Sequence, residues 1–266
     1  MRISKVPIQR ALAWTGLALM LFCLVWLQLL PPRVRSSLGE RQSATGTGSI
    51  TGVVIDPGHG GDDSGAMRGA VLEKDLTLDV ARRLERLARA NGLATILTRA
   101  GDESVSLAGR AAAANHARDC VFVSIHFDEG SRSAASGVQT FYPLKQVRET
   151  PSAPSWLPSL QQVSAAPANL ESQSLAAFVQ DALVARTQAF NRGTRAEQFY
   201  VVANVRHPAV LVEGGFLSNN EDIAKLATEE YREQLATAIS EGIMRYRDIA
   251  NQQQPPPIVA EKSGAE

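Results

Sequence analysis

The sequence predicts an α/β fold: one domain with a mainly parallel, roughly six-stranded twisted sheet flanked by helices, plus an N-terminal transmembrane helix. Three observations lead there. From about residue 49 onward, short β-rich runs alternate with longer runs of helical period. One run, Ala209 to Val212, is apolar at every position, as a central strand covered on both faces requires. The 266 residues are 44% apolar, enough for at least one sizeable core.

Taken in order, Ser49–Asp56 (SITGVVID) reads as the first strand. Leu76, Val80, Leu84 and Leu87 recur at three- and four-residue steps, giving an amphipathic helix from about Lys74 to Ala90 that stops at Asn91-Gly92. Ala94–Thr98 is the second strand. An alanine-rich helix from about Ser106 to Ala117 leads into the strand Val121–His126, and Val138–Tyr142 supplies a fourth. Leu175, Phe178, Val179, Ala182 and Leu183 mark one apolar face of a further helix. Gln198–Val202 and Ala209–Glu213 are strand candidates, and Tyr231, Leu235, Ile239 and Ile243 form the last helix. No internal repeat is present.

The domain is expected to span residues 49–248. Before it, residues 11–32 carry no charge and are long enough as a helix to cross a hydrocarbon core of about 30 Å. They are expected to be a transmembrane anchor or uncleaved signal, with residues 1–10 cytoplasmic, 33–48 a polar linker, and the domain outside the inner membrane, in the periplasm, or secreted if the segment is cleaved. Residues 249–266 read as a disordered tail. Inside the domain, the proline-rich insert 149–168 is longer than a compact fold needs. Trp156 and Leu157 give it apolar groups with which to cover a cleft and restrain activity.

The 27 basic and 27 acidic residues cancel, which removes the broad cationic surface that duplex nucleic-acid binding requires. Two cysteines cannot form a disulfide scaffold, and Cys23 and Cys120 lie in segments that should not meet.

In an open α/β sheet, ligands bind at the carboxyl ends of the strands. Strand one runs into the glycine-rich turn Asp56-Pro57-Gly58-His59-Gly60-Gly61, strand three ends on His126, and the apolar strand AVLV ends on Glu213-Gly214-Gly215. Glu73 stands where the first helix should begin. With parallel strands, two histidines and two carboxylates converge on one rim. Two imidazoles and one carboxylate suit zinc with one coordination position open, the arrangement of a hydrolytic site, and a second carboxylate is then needed to move a proton. Spacing leaves open which of Glu73 and Glu213 is ligand and which is base.

Plainer readings exist for each residue. A histidine alone is more often a hydrogen-bonding residue than a ligand, and Glu73 could serve only the helix dipole. Glu213 resists such a reading, because a carboxylate after four apolar residues must be paired, metal-bound or at a pocket edge. His116 reads as solvated and His207 as structural. Asp56 and Asp63 should stabilise the glycine-rich turn, with a hold on a histidine as the sharper option. Asp128 and Glu129 are rim residues or alternative ligands, and Arg99 and Arg110 should pair with carboxylates such as Asp102.

Five segments, IDPGHGGDDSGA (55–66), EKD (73–75), LTRAGDESVSLAGRAAAAN (97–115), VFVSIHFD (121–128) and PAVLVEGGFLSN (208–219), together resemble the zinc-dependent N-acetylmuramoyl-L-alanine amidases of bacterial cell walls. The likeness spans residues 53 to about 247. It implies hydrolysis of the amide between N-acetylmuramic acid and L-alanine in peptidoglycan, one zinc ion per chain held by His59, Glu73 and His126, and Glu213 as the catalytic carboxylate. Some relatives are controlled by a protein activator, so such a partner is a further expectation. Phe127 and Asp128 depart from the small residue and Asn that the family typically has after the histidine. Two rivals remain: an inactive relative that only binds peptidoglycan, and a zinc peptidase acting within the stem peptide.

Overall fold

The computed structural model describes residues 49–128, 134–146 and 169–252. The apolar segment 11–32, its linker and the whole 149–168 insert lie outside these residues. Among the described residues, no helix is long and apolar enough to cross a membrane.

The sheet has six strands: β1 (Gly52–Pro57), β4 (Ala94–Leu97), β5 (Cys120–Asp128), β6 (Val138–Tyr142), β7 (Asn191–Ala196) and β8 (Ala209–Phe216), in the order β4-β1-β5-β8-β6-β7. A two-stranded hairpin, β2 (Met67–Arg68) with β3 (Val71–Leu72), stands apart. β4, β1, β5 and β8 are mutually parallel, while β6 runs antiparallel to β8 and parallel to β7. The expected mainly parallel sheet is therefore present, with its last two strands reversed. The helices are α1 (Glu73–Ala90), α2 (Leu107–His116), α3 (Leu170–Thr187), α4 (Tyr200–Ala203), α5 (Asn220–Leu226) and α6 (Glu229–Gln252).

Alternation along the strands divides the core in two, because successive side chains leave opposite faces. Val53, Ile55, Val123, Ile125, Val210 and Val212 join residues of α1, α3 and α6 in the larger cluster. Val54, Phe122, Phe141 and Leu211 join residues of α2 and α4 in the smaller one. The unbroken apolar runs of β1, β5 and β8 follow from this double cover.

Three expectations are corrected. Gln198–Val202 is not a strand: Tyr200–Ala203 form the short helix α4, which buries Val201 and Val202 against the second face. The strand of that region is the earlier β7, whose NRGTRA shows no apolar alternation because it lies at the sheet edge, where pairing to β6 decides its conformation. The final helix continues to Gln252, past the expected boundary at 248, and its end is tied to the domain start by Ile50 N–H donating to Asn251 Oδ1 at 3.0 Å.

Candidate metal centre

At the carboxyl end of β1 the chain turns through Gly58, His59, Gly60 and Gly61. His59 has a left-handed backbone, φ 59°, which costs a side-chain-bearing residue about 1–3 kcal/mol. The surroundings hold it there. Arg110 Nη2 donates to the His59 carbonyl at 2.7 Å, and its Nη1 donates to the Pro57 carbonyl at 2.6 Å and to Asp56 Oδ1 at 2.7 Å. Arg99 donates to the carbonyls of Pro57, Gly58, Lys74 and Gly101. Both guanidinium groups are buried. Arg110 thus meets the expected carboxylate, though it is Asp56, while Arg99 binds backbone oxygens and Asp102 pairs with Lys74 at 2.8 Å.

Arg110→Ala would leave the Asp56 carboxylate buried without its cation. Breaking such a pair is expected to destabilise the fold by about 3–5 kcal/mol. Chemical denaturation of the metal-free protein checks this, and a loss below about 1 kcal/mol would show that Arg110 is not the clamp.

Glu73 opens α1 at the same rim and is buried. Its Oε2 accepts the Ala66 N–H at 2.8 Å and its Oε1 accepts the Phe127 N–H at 2.9 Å, so the carboxylate is fixed from two sides. His59 Nε2 lies 3.1 Å from Oε2 and His126 Nδ1 lies 3.1 Å from Oε1. The rings of His59 and His126 meet edge to face with centroids 4.9 Å apart. One donor atom from each of the three residues falls within 4.8 Å of the others, so the group could hold a metal ion. Bonds of about 2.0–2.1 Å in a tetrahedron place ligand atoms roughly 3.3 Å apart, close to the two imidazole–carboxylate separations of 3.1 Å.

The other ring nitrogen of His59, Nδ1, sits 2.9 Å from Asp63 Oδ2, while Asp63 Oδ1 accepts the Gly65 N–H at 3.1 Å. Asp63 therefore fills both roles expected of it, turn stabiliser and hold on a histidine. Such a contact fixes the tautomer and raises ligand basicity, and Asp63→Asn should weaken metal affinity about 10- to 100-fold in a chelator competition titration.

The electrostatics of the cluster favour charge separation. Burial alone would push the Glu73 carboxyl up, yet its contacts with His126 and His59 and the Phe127 N–H hold it far below the ordinary range. Burial lowers the His59 imidazole, but Glu73 and Asp63 outweigh that and raise it above 6.5. The signs set a pH window. The raised His59 stabilises the metal-free fold fully below its ordinary 6.5 and loses this as pH rises through its folded value. The lowered Glu73 contributes fully above its ordinary 4.5 and loses this only in stronger acid. Both contributions are complete between those values, where a metal must also displace protons from imidazole. Zinc is therefore expected to raise the melting temperature little at pH 5 and progressively more toward pH 8, measured by thermal melting with and without the ion.

Glycines make room for the cluster. A Cβ on Gly58 would stand 2.3 Å from His126 Cε1, and one on Gly65 would stand 2.5 Å from Glu73 Oε2.

Glu213 is half-buried near the end of β8 and in register with His126 on β5. In-register residues on neighbouring strands leave the same face, roughly 5 Å apart. Phe127 points the other way into the larger core, fully buried, so its bulk does not enter the rim. His116 is exposed and contacts the Ala112 carbonyl, and His207 contacts the Ala117 carbonyl, so neither joins the cluster. Glu129 lies outside the described residues.

The proline-rich insert is flanked at the rim opposite the cluster. Gln146 Nε2 donates to the His207 carbonyl just before β8, and the Ala209 N–H donates to Ser172 Oγ at the start of α3. Those attachments stand about 13 Å along β8 from Glu213.

Comparison with known proteins agrees with this geometry. The N-acetylmuramoyl-L-alanine amidase family model matches residues 53–245. The N-acetylmuramoyl-L-alanine amidase LytC of Bacillus subtilis is 33% identical over 194 residues, 73% of this chain and 35% of that protein. Among solved structures, the amidase AmiC2 of Nostoc punctiforme is 34% identical with a TM-score of 0.63, covering 76% of this chain and 99% of that one. The CwlD amidase of Clostridioides difficile, solved in complex with the GerS lipoprotein, is 28% identical with a TM-score of 0.63, covering 75% of this chain and 99% of that one. With most of its length matched by one family model and, at the expected rim of the sheet, three residues that could hold a metal ion, the chain belongs to the N-acetylmuramoyl-L-alanine amidase family, hydrolases that cut an amide bond of peptidoglycan.

Proposed function

We propose that this chain is a zinc hydrolase acting on the amide between N-acetylmuramic acid and L-alanine, in cell-wall remodelling or daughter-cell separation. The observation that carries the reading is the three-residue donor set, His59, Glu73 and His126, with Glu213 in register beside it. Two nitrogens and one carboxylate oxygen are donors suited to zinc, and three protein ligands leave a position for substrate or water. Bound there, zinc supplies Lewis acidity toward an amide carbonyl and lowers the pKa of water.

The residues of the chain do the rest. Asp63 orients His59, and Arg110 and Arg99 keep the turn that carries it in its left-handed form. Glu73, held by two backbone N–H groups, keeps the two imidazoles in place. Glu213 takes the proton from the attacking water and gives it to the alanine nitrogen as the carbon–nitrogen bond breaks, leaving a muramic lactyl carboxylate and a stem peptide with a free amine.

The apolar, charge-free segment 11–32 supports attachment to the inner membrane with the catalytic domain on the periplasmic side, within reach of the wall. The complex of the CwlD amidase with a lipoprotein supports a protein partner for this chain as well. Mass spectrometry of digested sacculi tests the activity. Free lactyl groups with intact stem peptides are expected; shortened stems would mean a peptidase, and an unchanged sacculus with wall still bound would mean a binding protein.

A further inference from the structure

The face of the sheet that carries His126 and Glu213 continues sideways onto β6 and β7. Gln139 is in register with Glu213 and therefore leaves the same face. Beyond it the ladder is irregular: Val138 pairs with Asn191 and Thr140 with Thr194, so one residue of β6 faces two of β7, Arg192 and Gly193. Such a bulge re-aims a side chain. This one is braced, since Asn191 Oδ1 accepts both the Gly193 N–H at 2.8 Å and Gln180 Nε2 at 2.7 Å.

The side chain that the bulge re-aims is a cation. The Arg192 guanidinium lies 4.7 Å from the ring centroid of Phe216, three residues past Glu213 on β8. Phe216 is buried and fixed, its N–H donating to Asp222 Oδ2 at 3.0 Å, the same oxygen that takes the Gly137 N–H at 2.9 Å. Arg192 is exposed and donates through Nη1 to the Ser136 carbonyl at 3.5 Å; among the described residues no carboxylate lies within ion-pair distance of it. Its planar fork of donors is thus pre-ordered by stacking and open to a carboxylate.

Resting on the amidase reading above, we propose that Arg192 is a specificity-determining residue that binds a carboxylate of the stem peptide. Two strand spacings, about 10 Å, separate the backbone of Arg192 from that of Glu213, and the guanidinium leans back toward β8 over Phe216. In the stem, the second residue is joined onward through its side chain, which leaves its α-carboxylate about five bonds, or roughly 6 Å, from the scissile nitrogen. A third residue with a side-chain carboxyl offers the same group farther out. Charged edge strands also guard against aggregation, but that role needs neither a braced bulge nor an aromatic platform.

The test uses the zinc-loaded full chain and three soluble muramoyl peptides: one with all carboxylates free, one amidated at the α-carboxyl of the second residue, and one amidated at the side-chain carboxyl of the third. Wild type is expected to prefer the free acid over one of the amides by about 10- to 100-fold in kcat/KM, carried mainly by KM, because a charge-assisted hydrogen bond is lost. Which amide is discriminated identifies the carboxylate. In Arg192→Gln the ratio should collapse toward one, with Arg192→Lys in between, and with zinc content and melting temperature unchanged. No preference in wild type, or a preference that survives Arg192→Gln, would overturn the proposal. A wild-type enzyme that released stem peptide from none of the three would overturn the amidase reading and this proposal with it.

Discussion

Glu213→Gln is expected to lower kcat on purified sacculi by about 10²- to 10⁴-fold, the range typical of removing a general acid–base group. Zinc content should stay near one ion per chain, because Glu213 belongs to β8 while the three ligand atoms come from the glycine-rich turn, α1 and β5. The amide is nearly isosteric and stays hydrogen-bonding, so β8, whose other inward residues are buried and apolar, should keep its place. KM should change little, since the carboxylate acts on the proton in flight more than on bound substrate. Turnover within a few-fold of wild type, in protein verified to carry zinc, would remove Glu213 from the reaction.

His126→Ala is expected to abolish both zinc retention and activity. The remaining pair, His59 and Glu73, offers two donors where a hydrolytic zinc site uses three. Metal analysis after dialysis should find far less than one ion per chain, and turnover should fall to the background of chelator-treated wild type. The variant should remain folded. His126 is only partly buried at the rim, outside both apolar clusters, and Glu73 keeps its bonds from the N–H groups of Ala66 and Phe127. Circular dichroism and the melting temperature of the metal-free forms would separate loss of the site from loss of the fold. A variant that still held zinc stoichiometrically would mean that the ion sits elsewhere.

Much of this was legible in the chain itself. Helix α1 could be read from Leu76, Val80 and Leu84 because burial on one side of a helix imposes a period near 3.6. β5 and β8 could be read because double burial removes polar residues from their runs. The rim residues could be found by asking which polar side chains end such strands. Elements that failed were those whose conformation is set from outside. NRGTRA becomes a strand by pairing with β6, and Tyr200–Ala203 becomes a helical turn because its β-branched Val201 and Val202 fill the second core. The clamps on the glycine-rich turn also differ in part from the expectation. Arg99 serves backbone oxygens rather than a carboxylate, and no sequence pattern marks which carbonyls a buried guanidinium will find.

The sequence by itself determined the fold class, the three polar residues at the strand ends with Glu73 at the head of the first helix, and the donor types suited to zinc, because periodicity and residue chemistry are local properties. Only the tertiary structure decided that the donors of His59, Glu73 and His126 lie within one ion's reach, that Glu213 stands in register beside them, and that Arg192 turns back over Phe216. Those facts depend on strand order, register and one bulge, which are fixed by contacts between segments as far apart in the chain as Glu73 and Glu213. A nearest-neighbour reading of the chain does not contain them.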